Sequence, residues 1–83
     1  MTMEEPQKEQ FYRFVIQERV SYYEGVYEWV CIYHDDLFLD FDVTKTDAKF
    51  QCMDFHDQGK QELRYKIWRV TQEKHPMTEW IDA

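Results

Sequence analysis

Apolar and polar residues alternate along the first part of the chain in a pattern typical of a β-strand. Within Phe11–Tyr23 the even positions are mostly large and apolar, and Glu18 is the one interruption. A period of two residues places such side chains on one face of a half-buried strand. A helix is the competing interpretation, because Tyr12 and Ile16 also recur at helical spacing. The β-branched and aromatic content favours a strand.

Turn residues divide the remaining chain into further predicted strands. Glu24-Gly25 predicts a tight turn because glycine tolerates positive φ, and Asp35-Asp36 predicts another because aspartate bonds its own backbone. Gln58-Gly59 predicts a hairpin turn near the end of the chain. These turns and the polar segment 44–47 delimit predicted strands at 26–34, 37–43, 49–56 and 62–71.

The elements together predict the fold class. We expect a mainly β or small α+β fold with a single antiparallel sheet of about five strands in meander order. A chain of 83 residues is expected to form one small domain over 1–83. Residues 1–10 are expected to fray, and residues 72–83 to form a tail or a short C-terminal helix started by Pro76.

Two-residue turns also predict which side chains share a face of the sheet. Pairing across Glu24-Gly25 places three pairs of residues opposite each other: Tyr22 and Tyr27, Val20 and Trp29, and Ile16 and Tyr33. Pairing across Gln58-Gly59 predicts a buried group of Phe50, Cys52, Leu63, Tyr65 and Ile67. The predicted core side of strands two and three carries Val26, Val30, Ile32, Leu37, Leu39, Phe41 and Val43. The opposite, outward face is expected to gather Phe14, Ile16, Val20, Tyr22, Tyr27, Trp29, Tyr33, Phe38, Asp40 and Asp42.

Composition changes this picture through charge and aromatic content. The chain has 17 acidic and 10 basic residues, a net charge of −7, and 18% aromatic residues. This negative charge repels phosphate and anionic lipid, so we expect no direct nucleic-acid binding and no membrane partner. Two cysteines and no signal-peptide pattern predict a cytoplasmic protein. The aromatic residues exceed what a thin core hides, which favours a protein interface.

Metal and cofactor chemistry finds little support. Cys31, His34, Cys52 and His56 are ligand types that zinc accepts. On the predicted strands, however, Cys31 and His34 face opposite sides, and Cys52 lies about 13 Å from His56 at ~3.3 Å per residue. We therefore predict no metal site and no cofactor, and a Cys31–Cys52 disulfide is not favoured.

Asp36, Asp40 and Asp42 are the most informative charged residues on the predicted strands. Same-face neighbours on a strand are ~6.8 Å apart, so these carboxylates are expected to form a row that flanks Phe38. Such a row would repel itself unless a basic surface faces it. The predicted partner-binding residues are Tyr27, Trp29, Tyr33, Asp36, Phe38, Asp40 and Asp42.

The leading functional prediction is a small acidic inhibitor, not an enzyme. It would be of the antidote, immunity or phage counter-defence type and would block the basic, nucleic-acid-binding surface of a partner such as a nuclease. One alternative is a homo-oligomeric structural or assembly component, such as a homodimer that buries the aromatic face. A second alternative is a small metal-dependent hydrolase that uses His34, Asp35 and Asp36.

Overall fold

The computed structural model describes residues 11–38, 40–70 and 74–83, and the side chains of 36–38 lie outside this description. The predicted lead-in 1–10, Leu39 and residues 71–73 also lie outside it. In chain order, the described elements are β1 (Phe11–Tyr23), β2 (Val26–Phe38), α1 (Phe41–Asp57), β3 (Leu63–Val70), β4 (Lys74–Pro76) and β5 (Ile81–Asp82).

The strands form a single antiparallel sheet, and α1 lies against one of its faces. The strand order is β2-β1-β3-β4, and β5 pairs with the same edge of β3 as β4 does. This confirms the predicted class of a single antiparallel sheet of five strands in a mainly β, small α+β fold. In the part of the chain that is described, no helix is long and apolar enough to cross a membrane.

The β1–β2 hairpin forms at the predicted turn, but its register agrees with the prediction only in part. Tyr27 pairs with Ser21 and Trp29 pairs with Arg19, each one residue from the predicted partner. Gly25 has a φ of 81°, which a tight turn after Tyr23 requires and which glycine adopts without steric cost. Tyr23 pairs with Val26, and Ile16 pairs with Tyr33 as predicted. The register shifts between these two pairs, which indicates β-bulges that twist the hairpin.

The predicted turn at Asp35-Asp36 is wrong, because β2 continues through these residues to Phe38. β1 is long enough to supply partners for this extension: Phe14 pairs with Asp35, and Tyr12 pairs with Phe38. Paired backbone groups outweigh the local turn preference of aspartate. The predicted strand 37–43 is therefore also wrong, since its first part belongs to β2 and its last part to α1.

The predicted strand 49–56 is wrong as well, because it forms the second half of α1. The side chains that α1 buries are Thr44, Ala48 and Cys52, which recur every four residues. This spacing is helical, but two of the three are small or polar, so the apolar pattern hides it. Asp40 starts the helix as its N-cap.

Gln58-Gly59 ends α1 and does not form the predicted hairpin turn. Gly59 has a φ of 98°. Its N–H donates to the carbonyl oxygen of His56, and the N–H of Lys60 donates to that of Phe55, each at 3.0 Å. These bonds form a Schellman motif, which closes a helix when a glycine follows it.

The predicted C-terminal helix is replaced by extended chain. After β4, the N–H of Met77 donates to the carbonyl oxygen of Ile67 at 2.7 Å. Ile81 then pairs with Tyr65 as β5 adds to the edge of β3. Open backbone groups on that edge offer more hydrogen bonds than a free terminal helix of one or two turns would gain.

The core lies between α1 and the face of β1 and β3 that it covers. Its fully buried members are Phe14, Ile16, Ala48, Cys52, Leu63, Tyr65 and Ile67. Four of these belong to the predicted buried group, but Phe50 of that group is 60% exposed on the outer side of α1. Ile32 and Phe41 pack against the core as expected.

Candidate functional site

The predicted outward face does not form, because its members lie on different sides of the sheet. Phe14 and Ile16 are fully buried under α1. Tyr33 lies on the same side, with its ring centroid 5.7 Å from that of Phe14 and 6.1 Å from that of Phe55. Of the described predicted core residues, Val26 and Val43 are exposed. The register shift between Ile16 and Gln17 puts Tyr33 and Trp29 on opposite faces of β2, although an even spacing predicts the same face.

The predicted row of carboxylates is also absent as a strand feature. Asp40 caps α1 and Asp42 lies in its first turn, so their spacing is helical. The side chains of Asp36 and Phe38 lie outside the described residues. Negative charge near a helix N-terminus is favourable without any partner, since it opposes the helix dipole.

Tyr27 and Trp29 do lie together, on the sheet face away from α1. Trp29 pairs with Arg19, and Tyr27 pairs with Ser21. The Arg19 guanidinium lies 4.0 Å from the centroid of the Tyr27 ring, which fixes this ring against β1. These two predicted site residues therefore belong to one surface.

The β1–β2 hairpin projects beyond the rest of the sheet as an arm. β3 pairs with β1 only as far as Glu18 opposite Leu63. The N–H of Arg19 then donates to the carbonyl oxygen of Glu62 at 3.0 Å, and the Arg19 Nη1 lies 3.4 Å from a Glu62 carboxylate oxygen. Every residue from 21 to 28 is exposed. We call residues 21–28 the arm tip.

The arm tip exposes large apolar side chains next to acidic ones. The exposed fractions are 57% for Tyr22, 70% for Tyr23, 41% for Val26 and 52% for Tyr27. The tip contains Glu24 and Glu28 but no lysine or arginine. A solvent-exposed projection with four such side chains is unusual in a monomer and is typical of an interaction site.

A second distinctive surface lies on the open sheet face. Arg64 sits between two indoles, with its guanidinium carbon 4.1 Å from the Trp29 centroid and 4.2 Å from the Trp80 centroid. The Lys66 ammonium lies 4.6 Å from the Trp68 centroid and 5.6 Å from that of Trp80, and the Lys74 ammonium lies 5.1 Å from that of Trp68. We call this group the basic-aromatic cluster: Trp29, Arg64, Lys66, Trp68, Lys74 and Trp80.

The outer side of α1 is a third surface, apolar with an acidic rim. Val43, Phe50 and Met53 are exposed along one side of the helix, and Asp54 and Asp57 are exposed beside them. A shallow depression on this side is lined by Asp42, Val43, Thr46, Asp47 and Phe50.

Electrostatics at the junction of α1 and β2 are unfavourable. Burial raises the pKa of the Asp47 carboxyl, and the negative charge of Asp35 raises it further. Burial also raises the pKa of the Tyr33 hydroxyl, and Asp35 and Asp47 add to this shift. These carboxylates therefore repel one another where α1 meets the sheet.

The residues of the hydrolase and zinc hypotheses do not converge. His34 pairs with Val15 on the open face, while the neighbouring Asp35 pairs with the buried Phe14. Cys31 is an exposed free thiol on the open face, and Cys52 is a buried one under α1. Among the described residues, no three His, Cys, Asp or Glu side chains form a group suited to a metal ion.

Burial also tunes the two polar groups at the centre of the core. It raises the pKa of the Cys52 thiol from 9.0 to about 11. The pKa of the Tyr65 hydroxyl is raised by burial and then by Cys52. Both groups therefore stay neutral at physiological pH, so Cys52 is not a reactive nucleophile.

Sequence reasoning named Tyr27 and Trp29 as binding residues, but it did not assemble the arm tip or the basic-aromatic cluster. The apolar run around the Glu24-Gly25 turn signals the tip, because Tyr22, Tyr23, Val26 and Tyr27 flank a turn that few core contacts can reach. The cluster has the weaker signal of Arg64, Lys66 and Trp68 at alternate positions. Its link to Trp29 and Trp80 depends on the strand order.

Comparison with known proteins gives this chain no family. No protein-family model, no curated protein and no solved structure matches it.

Proposed function

We propose that the protein is an inhibitor-type binding module that inserts its arm tip into a basic cleft of a partner protein. The observation that carries this proposal is the exposure of Tyr22, Tyr23, Val26 and Tyr27 on the arm tip, whose own residues include two glutamates and no lysine or arginine. A nucleic-acid-processing enzyme, such as a nuclease, has a cleft of the complementary charge.

The side chains of the arm tip suit an interface. Tyrosine is among the residue types enriched in interface hot spots, because it buries a large ring and keeps a hydroxyl for hydrogen bonding. Backbone pairing already orders the hairpin, for example between Ser21 and Tyr27. Ordering before binding lowers the entropic cost of association.

The charges of the arm tip indicate the kind of partner. Glu24 and Glu28 add negative charge to a chain of net charge −7, and this field attracts a basic surface. Lysine and arginine side chains that bind phosphate in an enzyme cleft would accept these carboxylates in its place. Occupation of that cleft by the tip would exclude the nucleic acid.

Site-specific photocrosslinking in the native host tests this proposal. A benzophenone amino acid replaces Tyr23 in one variant and Phe50, exposed on α1, in the matched control. We expect the Tyr23 variant to crosslink to a basic protein, and the purified partner to lose nucleic-acid binding when the unmodified protein is added. Crosslinking only from the Phe50 position would assign the contact to α1 and contradict the proposal.

A homo-oligomeric component is the second candidate, and one observation favours it. β2 is an edge strand of 13 residues, so its outer backbone groups can pair with a second copy. Sedimentation velocity at micromolar concentration separates the two functions. A dimer would support self-association, whereas a monomer supports the inhibitor.

A further inference from the structure

The basic-aromatic cluster concentrates positive charge on one face of an acidic protein. Within the described part of the chain, Arg64, Lys66 and Lys74 form no ion pair with a carboxylate. The one side-chain hydrogen bond of Arg64 there runs from its Nε to the amide oxygen of Gln17 at 2.8 Å. Asp82 is the cross-strand partner of Arg64, so one carboxylate lies beside the three cations. The remaining excess of positive charge produces a local positive potential that the net charge conceals.

Cation–π contacts keep these charges in place. Arg64 touches two indoles, Lys66 also touches two, and Lys74 touches one. Each contact attracts a cation to the face of a ring and so restricts a flexible side chain. The cations are therefore ordered before any ligand arrives, which lowers the entropic cost of binding one.

We propose that the basic-aromatic cluster binds single-stranded nucleic acid without sequence preference. The three cations would contact successive phosphates, and the half-buried indoles of Trp29, Trp68 and Trp80 would contact the bases. Positive charge beside aromatic rings on an open sheet face is the combination that binds single strands in a sequence-tolerant way. An acidic peptide would contact the cations but lacks the flat bases that stack on the exposed parts of indole rings.

This proposal goes beyond the proposed function. It also departs from the prediction, based on net charge, that the protein does not bind nucleic acid directly. A net charge of −7 describes the whole chain, but the cluster lies on the sheet face away from α1, while the acidic rim of Asp42, Asp54 and Asp57 lies on α1. Screening limits the reach of those distant carboxylates to about 8–10 Å at 0.1–0.15 M salt. A ligand on the open face therefore meets mainly the cluster.

The experiment uses the intact chain and an oligothymidylate of about 12 nucleotides, within the usual site size for such surfaces. The chain has three tryptophans, and all of them belong to the cluster, so intrinsic tryptophan fluorescence reports on this site alone. We expect quenching on titration and a log Kd that depends on log salt with a slope of about 2, the value for three phosphates.

Charge-matched variants locate the binding site. The double variant Lys66→Gln and Lys74→Gln is expected to weaken binding at least tenfold, as an order of magnitude, and to lower the salt slope by about 1.4. The control, Lys45→Gln and Lys49→Gln on α1, removes the same charge and is expected to change Kd less than twofold. Circular dichroism confirms that both variants keep the fold.

Three results would overturn the proposal: no quenching at 50 mM salt, an equal loss of affinity in the two double variants, or equal affinity for polyglutamate of the same charge. The last result would assign the face to an acidic protein. The variant Tyr22→Ser and Tyr23→Ser separates this proposal from the proposed function, since it is expected to abolish partner crosslinking and to keep oligonucleotide binding.

Discussion

The carboxylate of Asp40 accepts a hydrogen bond from the backbone N–H of Asp42 at 2.7 Å. A second bond, from the N–H of Val43, is 3.3 Å long. The two aspartates that looked like neighbouring charges on a strand are thus the cap and the first turn of a helix. This relationship gives Asp40 a structural role that does not depend on any partner.

Replacement of Asp40 by alanine is therefore expected to destabilise the protein by about 1 kcal/mol, because two backbone donors lose their acceptor. Urea unfolding followed by circular dichroism measures this. Asp40→Ser keeps a capping oxygen and removes the charge, so it should stay within a few tenths of a kcal/mol of the parent. Equal losses for alanine and serine would show that the charge, and not the cap, matters.

The strand prediction placed Phe14 on the outward face and Phe50 in the buried group, and the structure shows the reverse. Phe14 is fully buried and Phe50 is 60% exposed. Phe14→Ala is expected to cost about 3–5 kcal/mol through lost burial and the cavity left behind. Phe50→Ala is expected to change stability by less than about 0.5 kcal/mol. Thermal or urea unfolding of the two variants checks this difference, and a reversed order would contradict the placement of α1.

Asp47 should make stability depend on pH on the acidic side. Its folded pKa lies above the ordinary 3.8, so the folded state holds the proton more tightly than the unfolded state does. Its contribution is therefore full below 3.8 and is lost as pH rises through the folded pKa. We compare the free energy of unfolding of Asp47→Asn with that of the parent. The difference should favour the variant more at pH 7 than at pH 3.

Unfolding midpoints at both pH values measure this effect of Asp47. The matched control is Asp54→Asn, because Asp54 is exposed on the same helix. An identical pH dependence in the two variants would show that the repulsion between Asp35 and Asp47 does not affect folding.

Cys52 should make the protein unstable in alkali. Burial raises its pKa from 9.0 to about 11, so the folded state favours the neutral thiol. Stability from this group is complete below pH 9.0 and is lost as pH rises through about 11, with a total on the order of 2–3 kcal/mol. Tyr33 and Tyr65 shift in the same direction and add to the loss.

The variant Cys52→Ala isolates the thiol. It loses some packing at every pH, but its stability should fall less steeply than that of the parent as pH rises above 9, because the shifted tyrosines are present in both proteins and only the parent has the thiol. Cys31→Ala is the control, because Cys31 is exposed. Equal slopes for the parent and Cys52→Ala would contradict a buried thiol at this position.

Local sequence determined the parts of the fold that local pattern can specify. Alternation fixed β1 at Phe11–Tyr23, Gly25 fixed its turn, and the alternation from Leu63 to Ile67 indicated β3 and its buried side. These features depend on the period of the side chains and on one positive φ, which a single strand or turn already requires.

Only the tertiary structure decided what lies between these strands and which surface each charged or aromatic residue joins. Thr44, Ala48 and Cys52 become a buried helical stripe only when β1 and β3 cover them. Trp29 lies on β2 and Arg64 on β3, and the two side chains meet across β1, which is the strand between them. The sequence alone does not give this strand order. The net charge is a sum over all residues and carries no information about their positions. Folding places acidic and basic residues on different faces, so the net charge did not reveal the basic-aromatic cluster.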